Sequence, residues 1–430
     1  MISHRGGPRG VSELCARRGE RPIFDPDPGR HIEQLEHSMR VLFTGCPAYG
    51  HVNTMLPLAR QAQHAGHEVA FATGAEMVPE LERRGFDSWL VGPSRAETDA
   101  SVRAAHPDLE AIPPEQRLPV QIQGVFVESA AKRAIELVPR AQQWKPDIVV
   151  HEFTELAGAL AAAHTGARHI VHGLGLMPSV QMWDALFGSG FARLCREWDV
   201  PELTEGLKLA TYLNIRPPSL RTDGEVGWQL IQPLRPAAGE PAPGERLPAA
   251  LAALPYLQTI HLTLGTIFHE APGVLETAIA GLRELPLNLV VTSGPGTEPA
   301  QFGPQPPHVL IEPYIPHSLL LPHCNLVVAH GGAGIMLSAL AHGLPQLILP
   351  QGADQFMNAA TCQSAGAALV LQPDELSADA VAAATERLLT QRGFATAAGR
   401  IRAEIGAMPT AAAVLPALLS SELVARGRWP

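Results

Sequence analysis

Short apolar segments alternate with helix-like stretches in two separate parts of the chain, and this alternation limits the possible folds more than any other feature. In the first part the apolar segments predict strands at Val41–Thr44, Glu68–Thr73, Asp147–His151 and His169–His172. Helices are predicted between them, at about Thr54–Ala65 and Glu155–Thr165. Strands that alternate with helices in this way are typical of a parallel sheet covered by helices.

The same alternation begins again after a segment rich in proline, glycine and alanine, between Gln232 and Pro248. Four strands are predicted there, at Thr259–Leu264, Asn288–Thr292, Leu326–Ala329 and Gln346–Leu349. The helices are predicted at Gly273–Leu285, Ile335–His342 and Phe356–Ala365. The Pro/Gly/Ala segment has too little apolar content to pack and is typical of an interdomain linker. The fold class is therefore α/β, with two doubly wound domains facing each other across a cleft, where ligands bind at the carboxyl ends of the strands.

The domain boundaries follow from these changes in composition. We expect an N-terminal domain at 39–232, a linker at 233–250, a C-terminal domain at 251–405 and a terminal segment at 406–430. Residues 1–38 have no apolar period, so we interpret them as a disordered extension or a mis-assigned start, with Met39 as the natural first residue. The polar, proline-rich stretch Pro93–Pro119 is expected to be an irregular functional loop.

Composition excludes several classes of protein. A net charge of −10 is unusual for a dedicated nucleic-acid binder, so no nucleic-acid partner is expected. No apolar run approaches the roughly 18 residues of a membrane span, so no membrane span is expected. The 5 cysteines are scattered without metal-ligand spacing, which favours reduced thiols in a cytoplasmic enzyme. A homodimer is compatible with the sequence.

Two loops in the second half carry candidate binding groups. In the first, His330 ends a strand, and Gly331, Gly332 and Gly334 let the backbone turn into a helix. Backbone N–H groups at such a turn suit a phosphate, although turn geometry alone would also explain the glycines. In the second loop, Asp354 and Gln355 offer a carboxylate beside an amide, which suits vicinal hydroxyl groups of a sugar. Helix capping is the alternative role for Asp354.

The order His-Gly-Gly-x-Gly, Leu-x-x-Gly-x-Pro and Pro-x-x-x-Asp-Gln resembles the donor-binding signature of family 1 nucleotide-sugar glycosyltransferases, which have the GT-B fold of two facing Rossmann-like domains. The resemblance points in particular to the bacterial branch that glycosylates macrolides and other natural products. It runs from Met39 nearly to the C-terminus and includes the opening strand, HLTLGT at His261–Thr266 and GAMPTAAAVLPALL at Gly406–Leu419.

The resemblance implies a role for each matching residue of the second half. His330 and the glycines of its turn, Gly331, Gly332 and Gly334, would face the diphosphate, and Thr266 would donate a hydroxyl group to it. Asp354 and Gln355 would bind the sugar. Ile315 and His317 would lie beside the base, with the Ile315 backbone reading its edge. No metal and no cofactor beyond the nucleotide sugar is implied.

Two positions in this half depart from the family pattern. His317 stands where the family commonly has Gln, and Ile335 where it often has Thr. His317 bears on the choice between uridine and thymidine, and Ile335 removes a hydroxyl donor to phosphate.

The resemblance also implies a catalytic histidine in the first half, at His51 in the loop Gly50-His51-Val52-Asn53. A histidine suits the removal of a proton from an attacking hydroxyl group. Such a base needs a carboxylate to orient it, and Glu152 occupies the position where the family has Asp, with Glu155 and Asp99 as alternatives. For the acceptor side we name Met55, His172, Trp183 and Phe187, together with His169, and core packing is the equal alternative for them.

These residues predict an inverting transfer of a sugar from a UDP- or dTDP-sugar to a hydroxyl group of a small hydrophobic natural-product aglycone. The acceptor pocket is expected from Pro93–Pro119 and Met177–Trp198, and the final helix, at about Ala411–Ala425, is expected to cross back onto the N-terminal domain. Two other functions stay open. One is a non-catalytic homologue that binds a sugar nucleotide or activates another enzyme, and the other is a GT-B-fold sugar-nucleotide epimerase, which would act without an acceptor.

Overall fold

The computed structural model describes residues 38–108, 119–120, 122–175, 179–221, 228–236, 240–265, 273–294 and 297–420. The predictions made for residues 1–37 and for the chain beyond Ser420 lie outside this range, and so does the role given to Thr266.

The first half forms a seven-stranded parallel sheet with the strand order β3-β2-β1-β4-β5-β6-β7. The strands are β1 (Arg40–Thr44), β2 (Glu68–Thr73), β3 (Asp87–Leu90), β4 (Ile148–Glu152), β5 (Arg168–His172), β6 (Thr211–Asn214) and β7 (Leu230–Pro233). The helices are α1 (Tyr49–Val52), α2 (Leu56–His64), α3 (Val78–Arg83), α4 (Arg95–Ala105), α5 (Ser129–Trp144), α6 (Leu156–Thr165), α7 (Val180–Trp183), α8 (Ser189–Glu197) and α9 (Leu203–Gly206). Two π-helical segments, Gln123–Glu128 and Asp184–Gly188, precede α5 and α8.

The second half forms a six-stranded parallel sheet with the order β10-β9-β8-β11-β12-β13. Its strands are β8 (Thr259–Thr263), β9 (Asn288–Thr292), β10 (Val309–Glu312), β11 (Leu326–Ala329), β12 (Gln346–Ile348) and β13 (Ala368–Val370). Its helices are α10 (Val274–Leu282), α11 (His317–Leu320), α12 (Ala333–Ala341), α13 (Gln355–Ser364), α14 (Ala378–Thr390), α15 (Arg392–Ala407) and α16 (Ala411–Leu419).

The two sheets share one winding pattern, in which the chain moves outward in one direction and then returns to build the other side. The direction changes between β1 and β4 in the first sheet and between β8 and β11 in the second. At such a switch point the loops that leave adjacent strands diverge and open a crevice for ligands. The predicted fold class, two doubly wound α/β halves, is confirmed.

Burial explains why the strands carry continuous apolar runs. All five residues of β4 are buried, because helices cover both faces of the sheet. Helix α6 lies between the sheet and α5, so its residues Leu156–Ala162 are buried without interruption. A helix that is apolar on every side is stable only in such an enclosed position.

The last helix joins the second half to the first. Helix α16 packs on α2, and Val414, Leu415 and Leu418 belong to the same apolar cluster as Leu58 of α2. The Arg168 guanidinium donates to the Ser420 carbonyl at 2.8 Å. These contacts attach α16 and the residue that follows it to the first half of the chain.

The prediction of an irregular loop at Pro93–Pro119 is wrong for its first part, where α4 runs from Arg95 to Ala105. Ser94 and Glu97 form a capping box, in which the Ser94 side chain accepts from the Glu97 N–H and the Glu97 carboxylate accepts from the Ser94 N–H. The polar composition concealed the helix because only Thr98 and Val102 are buried. Residues 109–118 lie outside the described residues.

Five strands were not predicted from the sequence. These strands, β3, β6, β7, β10 and β13, have only three or four residues each, and all except β6 lie at the edges of their sheets. None of the helices in the described part of the chain is long and apolar enough to cross a bilayer.

Candidate active site

The two switch points face one cavity of about 560 Å³. His51 lies on its wall from the first half, and residues of the turn after β11 and of the loop after β12 lie on its wall from the second half. Of the residues predicted to bind the donor, those that line the cavity are Ile315, His317, His330, Gly332, Gly334, Asp354 and Gln355. The fold therefore brings together loops that are almost 300 residues apart in the sequence.

His51 and Glu152 form a hydrogen-bonded pair at the first switch point. His51 lies on α1, directly after β1, and Glu152 is the last residue of the adjacent strand β4. The distance from His51 Nδ1 to Glu152 Oε1 is 2.9 Å. The Glu152 side chain is fully buried, whereas 19% of the His51 side chain is exposed. The longer glutamate thus reaches the histidine, and the Nε2 atom of His51 is left for a ligand.

The loop after β4 holds the Glu152 carboxylate in place. The Thr154 N–H donates to Glu152 Oε2 at 2.7 Å, and the Thr154 hydroxyl lies 2.8 Å from both carboxylate oxygens. The Cys46 N–H donates to Oε1 at 3.3 Å. Sequence reasoning did not identify Thr154, although a hydroxyl residue two positions after a carboxylate is a common local hydrogen-bonding pattern.

The other two candidate carboxylates bind elsewhere. Glu155 caps α6 and accepts from the Arg133 guanidinium at 3.1 Å, with both side chains buried. Asp99 pairs with Arg95 on α4 at 2.9 Å. Glu152 is therefore the carboxylate that orients His51.

The pair changes the acid–base properties of both groups. Burial lowers the pKa of His51, but the charge of Glu152 and its hydrogen bond have the larger combined effect, so the pKa lies above the ordinary value of 6.5. Burial raises the pKa of Glu152, yet the His51 charge and the hydrogen bonds from His51 and Thr154 lower it to about 2. Glu152 therefore stays ionised and stabilises a positive charge on His51.

The turn after β11 needs its glycines for steric reasons. A Cβ atom at Gly332 would lie 2.4 Å from His330 Nε2, and one at Gly331 would lie 2.7 Å from Ile348 Cγ2. Gly331 also has a φ of +88°, a conformation that other residues rarely adopt. At Gly334 a Cβ atom would meet nothing within 4 Å. The steric requirement therefore applies to Gly331 and Gly332 and not to Gly334.

This turn combines two features that attract an anion. Gly332 is the N-cap residue of α12, and the first residues of this helix line the cavity. The first N–H groups of a helix lack partners within it, and the N-terminus is the positive end of the helix dipole. The His330 ring lies between Gly265 and Gly332. A Cβ atom at Gly265 would come within 2.6 Å of His330 Cε1, and one at Gly332 within 2.4 Å of His330 Nε2. The arrangement suits a diphosphate group.

The histidines on this side of the cavity are neutral in the ligand-free protein. Burial lowers the pKa of His330 and of His317 to about 4. Below them, His261 is fully buried, its ring centroid is 5.3 Å from that of His317, and burial lowers its pKa to about 3. A bound anion would favour the charged form of the nearest imidazole.

We expect thymidine diphosphate binding near neutral pH to be accompanied by proton uptake, because the diphosphate raises the low pKa of His330 toward the working pH. Calorimetric titrations in buffers of different ionisation enthalpy measure the number of protons taken up. In the His330→Gln variant the uptake by the protein should disappear, which leaves only the contribution of the nucleotide. An unchanged uptake in that variant would show that His330 stays neutral.

The loop after β12 orients Asp354 and Gln355. The Gln355 Oε1 atom accepts from the N–H groups of Gln351 at 2.7 Å and Gly352 at 3.2 Å, so its amide nitrogen remains the group that can donate. The Asp354 Oδ2 atom accepts from Asn358 at 2.9 Å. Burial raises the pKa of Asp354, and the charge of His51 is among the groups that oppose this rise. Asp354 and His51 line the same cavity from the two halves of the chain.

The residues named for the acceptor side are buried in the core of the first half. Met55 and His172 are fully buried, Trp183 and Phe187 are 2% exposed, and none of the four lines the cavity in the described part of the chain. His169 lies 2.6 Å from His151, nitrogen to nitrogen, and is also buried. Sequence reasoning missed Phe126, a half-buried residue of the first π-helical segment whose ring centroid is 6.1 Å from that of His51.

Two parallel-sheet domains that face one cleft, with a histidine–carboxylate pair on one side and a glycine-rich anion turn on the other, define the class of GT-B glycosyltransferases. The chain belongs to the erythromycin biosynthesis protein CIII-like family. The N-terminal domain of that family matches residues 61–227, and its C-terminal domain matches residues 276–420. The chain is therefore a nucleotide-sugar-dependent glycosyltransferase of the natural-product group.

Curated relatives and solved structures agree with this assignment. The chain is 30% identical to the L-demethylnoviosyl transferase of Streptomyces niveus over 89% of this chain and 98% of that protein. It is 29% identical to the aclacinomycin-T 2-deoxy-L-fucose transferase of Streptomyces galilaeus over 88% of this chain and 95% of that protein. The crystal structure of the glycosyltransferase VinC in complex with dTDP is similar with a TM-score of 0.69 and 26% identity, over 90% of this chain and all of that chain.

Proposed function

We propose that this enzyme transfers a sugar from a dTDP- or UDP-linked donor to a hydroxyl group of an apolar natural-product aglycone, with inversion at the anomeric carbon and His51 as the general base. The proposal rests above all on the 2.9 Å contact between His51 Nδ1 and the buried Glu152 carboxylate. His51 lies on the cavity wall from the first half, and the glycine-rich turn after β11 lies on the wall from the second half. The dTDP bound in the VinC crystal makes dTDP-sugars the first donors to test.

The pair prepares His51 to accept a proton. Because Glu152 accepts a hydrogen bond from Nδ1, it holds the tautomer in which the Nε2 lone pair is free. An acceptor hydroxyl group that approaches Nε2 gives up its proton as its oxygen attacks the anomeric carbon. Glu152 then stabilises the imidazolium, as the carboxylate does in other histidine–carboxylate pairs.

The leaving group is stabilised by the second half. As the new bond to the acceptor oxygen forms, the bond from the anomeric carbon to the diphosphate oxygen breaks and its electrons pass to the diphosphate. The N-terminus of α12 and His330 face that charge, and Asp354 and Gln355 hold the sugar hydroxyl groups. A single displacement from the face opposite the leaving group inverts the configuration. These groups supply the stabilisation without a metal ion, so we propose a metal-independent reaction.

An apolar acceptor fits the surroundings of His51. Phe126 lies beside its ring, and Phe126 in turn contacts Phe187 with the ring centroids 6.1 Å apart. These two rings come from the two π-helical segments, which are adjacent in space. Such segments are frequent at functional sites because they displace side chains from the regular helix. A hydrophobic ring system of the aglycone would bury its surface against the exposed part of Phe126, while the buried Phe187 supports that ring from the core side.

The proposal is tested with the purified protein, dTDP- and UDP-sugars and a panel of hydroxylated polyketide and aromatic aglycones. We expect a glycoside product whose anomeric configuration, determined by NMR, is opposite to that of the donor. Retention of configuration would contradict the single displacement. Conversion of the donor in the absence of any aglycone would instead indicate an epimerase, and donor binding without any reaction would indicate a non-catalytic homologue.

The pH profile of kcat/KM is expected to have an acidic limb with a midpoint above 6.5, because the base must be neutral and the pKa of His51 is raised. The activity is present above this midpoint and is lost as the pH falls through it. In the Glu152→Gln variant only the charge of Asp354 still opposes the lowering of the His51 pKa by burial, so the midpoint should move to lower pH while the maximum rate falls. The exposed residue Glu202 provides the control, since Glu202→Gln should leave the midpoint in place.

A further inference from the structure

A cysteine thiol completes a group of three metal-binding side chains around the proposed base. The thiol of Cys46, a ring nitrogen of His51 and a carboxylate oxygen of Glu152 all lie within 4.8 Å of one another. Cys46 and Glu152 are buried, and the exposed part of His51 faces the cavity. We propose that these residues form a three-ligand site for Zn²⁺ or another thiophilic divalent cation, and that occupation of this site reversibly inhibits the enzyme.

The distances fit a tetrahedral ion with little rearrangement. Ligand atoms on tetrahedral zinc are roughly 3.3–3.6 Å apart, given bond lengths of about 2.0–2.3 Å. The observed separations range from 2.9 Å for the His51–Glu152 contact to no more than 4.8 Å. The ion would enter between His51 Nδ1 and Glu152 Oε1, and the ring proton of His51 would move from Nδ1 to Nε2, so the imidazole stays neutral. Side-chain rotations that move ligand atoms by about 1 Å or less would complete three bonds.

The charges of the group also balance. A thiolate and a carboxylate neutralise a divalent cation, so the occupied site carries no net charge in its buried position. Burial raises the pKa of the Cys46 thiol well above 9, so without a metal this group is a neutral thiol that loses its proton when the metal binds. The nearby Arg133 guanidinium is paired with Glu155 at 3.1 Å and leaves no uncompensated positive charge.

A three-ligand ion at this group could take its fourth ligand from the cavity side, where His51 is exposed. His51 lines the cavity, so an ion bound to it can be reached from the cleft. Thr154 lies behind the group, with its hydroxyl 3.8 Å from Cys46 Sγ and 2.8 Å from both Glu152 oxygens, and would orient the carboxylate. An ion at Nδ1 leaves the ring proton on Nε2, so Nε2 has no lone pair with which to accept a proton from the acceptor. The inhibitory effect therefore rests on the proposed role of His51, whereas metal binding itself does not.

Binding is measured independently of activity with Co²⁺, whose bond to a thiolate gives a charge-transfer absorption. We expect this absorption when one equivalent of Co²⁺ is added to the chelator-treated protein. Zn²⁺ should displace the Co²⁺ and remove the absorption, whereas Mg²⁺, which prefers oxygen ligands, should leave it unchanged. The Cys46→Ser variant should lack the absorption. Cys195 is a matched control, because it is a buried free cysteine in the same half, and Cys195→Ser should retain the absorption.

Activity is then measured against Zn²⁺ concentration, with each variant compared with its own metal-free rate. Loss of a direct ligand should weaken inhibition of Cys46→Ser by at least about tenfold, since even outer residues of metal sites contribute 10- to 100-fold to affinity. Equal inhibition of Cys46→Ser and the unmodified enzyme, or absence of the thiolate absorption, would overturn the site. A metal-bound enzyme that retains its full rate would support the site and contradict the role of His51 as base.

Discussion

Replacement of His51 by alanine is expected to lower kcat/KM by about 10²- to 10⁴-fold, the usual contribution of a positioned general base. In the proposed mechanism the imidazole bonded to Glu152 takes the acceptor proton, and alanine removes it from a position in the first half, away from the glycine-rich turn after β11. Steady-state kinetics with a saturating donor measure the loss. The affinity for the nucleoside diphosphate, measured by calorimetry, should change little because that ligand binds to the second half.

An exposed histidine of the same half provides the matched control. His64 lies in the last turn of α2, exposed to solvent, and His64→Ala should retain the full rate. Transfer by His51→Ala at the unmodified rate would show that the proton is removed by another group. A loss of donor affinity in proportion to the loss of rate would show that His51 acts in binding instead.

Replacement of Arg133 by methionine is expected to destabilise the protein by about 3–5 kcal/mol, the cost of leaving a buried charge without its partner. Arg133 is 1% exposed and Glu155 is not exposed at all, and the pair is separated by 3.1 Å. Glu155 also accepts from the backbone N–H groups of Ala157 and Gly158, so it stays in place when Arg133 is removed. Chemical denaturation of the variant, followed by circular dichroism, measures the free energy of unfolding.

A surface ion pair shows whether burial causes this effect. Arg193 pairs with Glu128 and Glu197, and all three side chains are at least 38% exposed. Exposed pairs contribute about 0–1 kcal/mol, so Arg193→Met should change the stability far less than Arg133→Met. Equal effects of the two substitutions would contradict the assignment of the stabilisation to burial.

Several site residues could be identified from the sequence because their spacing is local. The glycines around His330 and the Asp354-Gln355 pair each occupy one short loop after one strand, and a strand followed by such a loop is visible in the amino-acid pattern. The structure places all of these groups except Gly331 on the cavity, and their roles toward the donor remain proposals. Local backbone preferences determine these turns, so a linear sequence contains the necessary information.

Residues whose surroundings depend on distant segments could not be assigned in this way. His172, Trp183 and Phe187 have the chemistry of a binding pocket, but His172 is buried within the sheet and the two aromatic residues are buried in the apolar core. Phe126 has no motif around it, and its position beside His51 results from a π-helical segment that no sequence period indicates. The 11-residue helix α4 could not be recognised for a related reason. It buries only Thr98 and Val102, so the sequence has no apolar stripe at helical spacing there.

The sequence by itself determined the two α/β halves, the glycine-rich turn and the family resemblance, because strand–helix alternation and turn chemistry are properties of adjacent residues. Only the tertiary structure decided which carboxylate orients His51. Glu152 lies 101 positions away in the chain, and the parallel pairing of β1 with β4 brings Thr44 opposite His151, so the residues that follow each strand meet. The same pairing places the Cys46 thiol against this pair. Strand register fixes such contacts, and it is set by the packing of the whole sheet rather than by any local pattern.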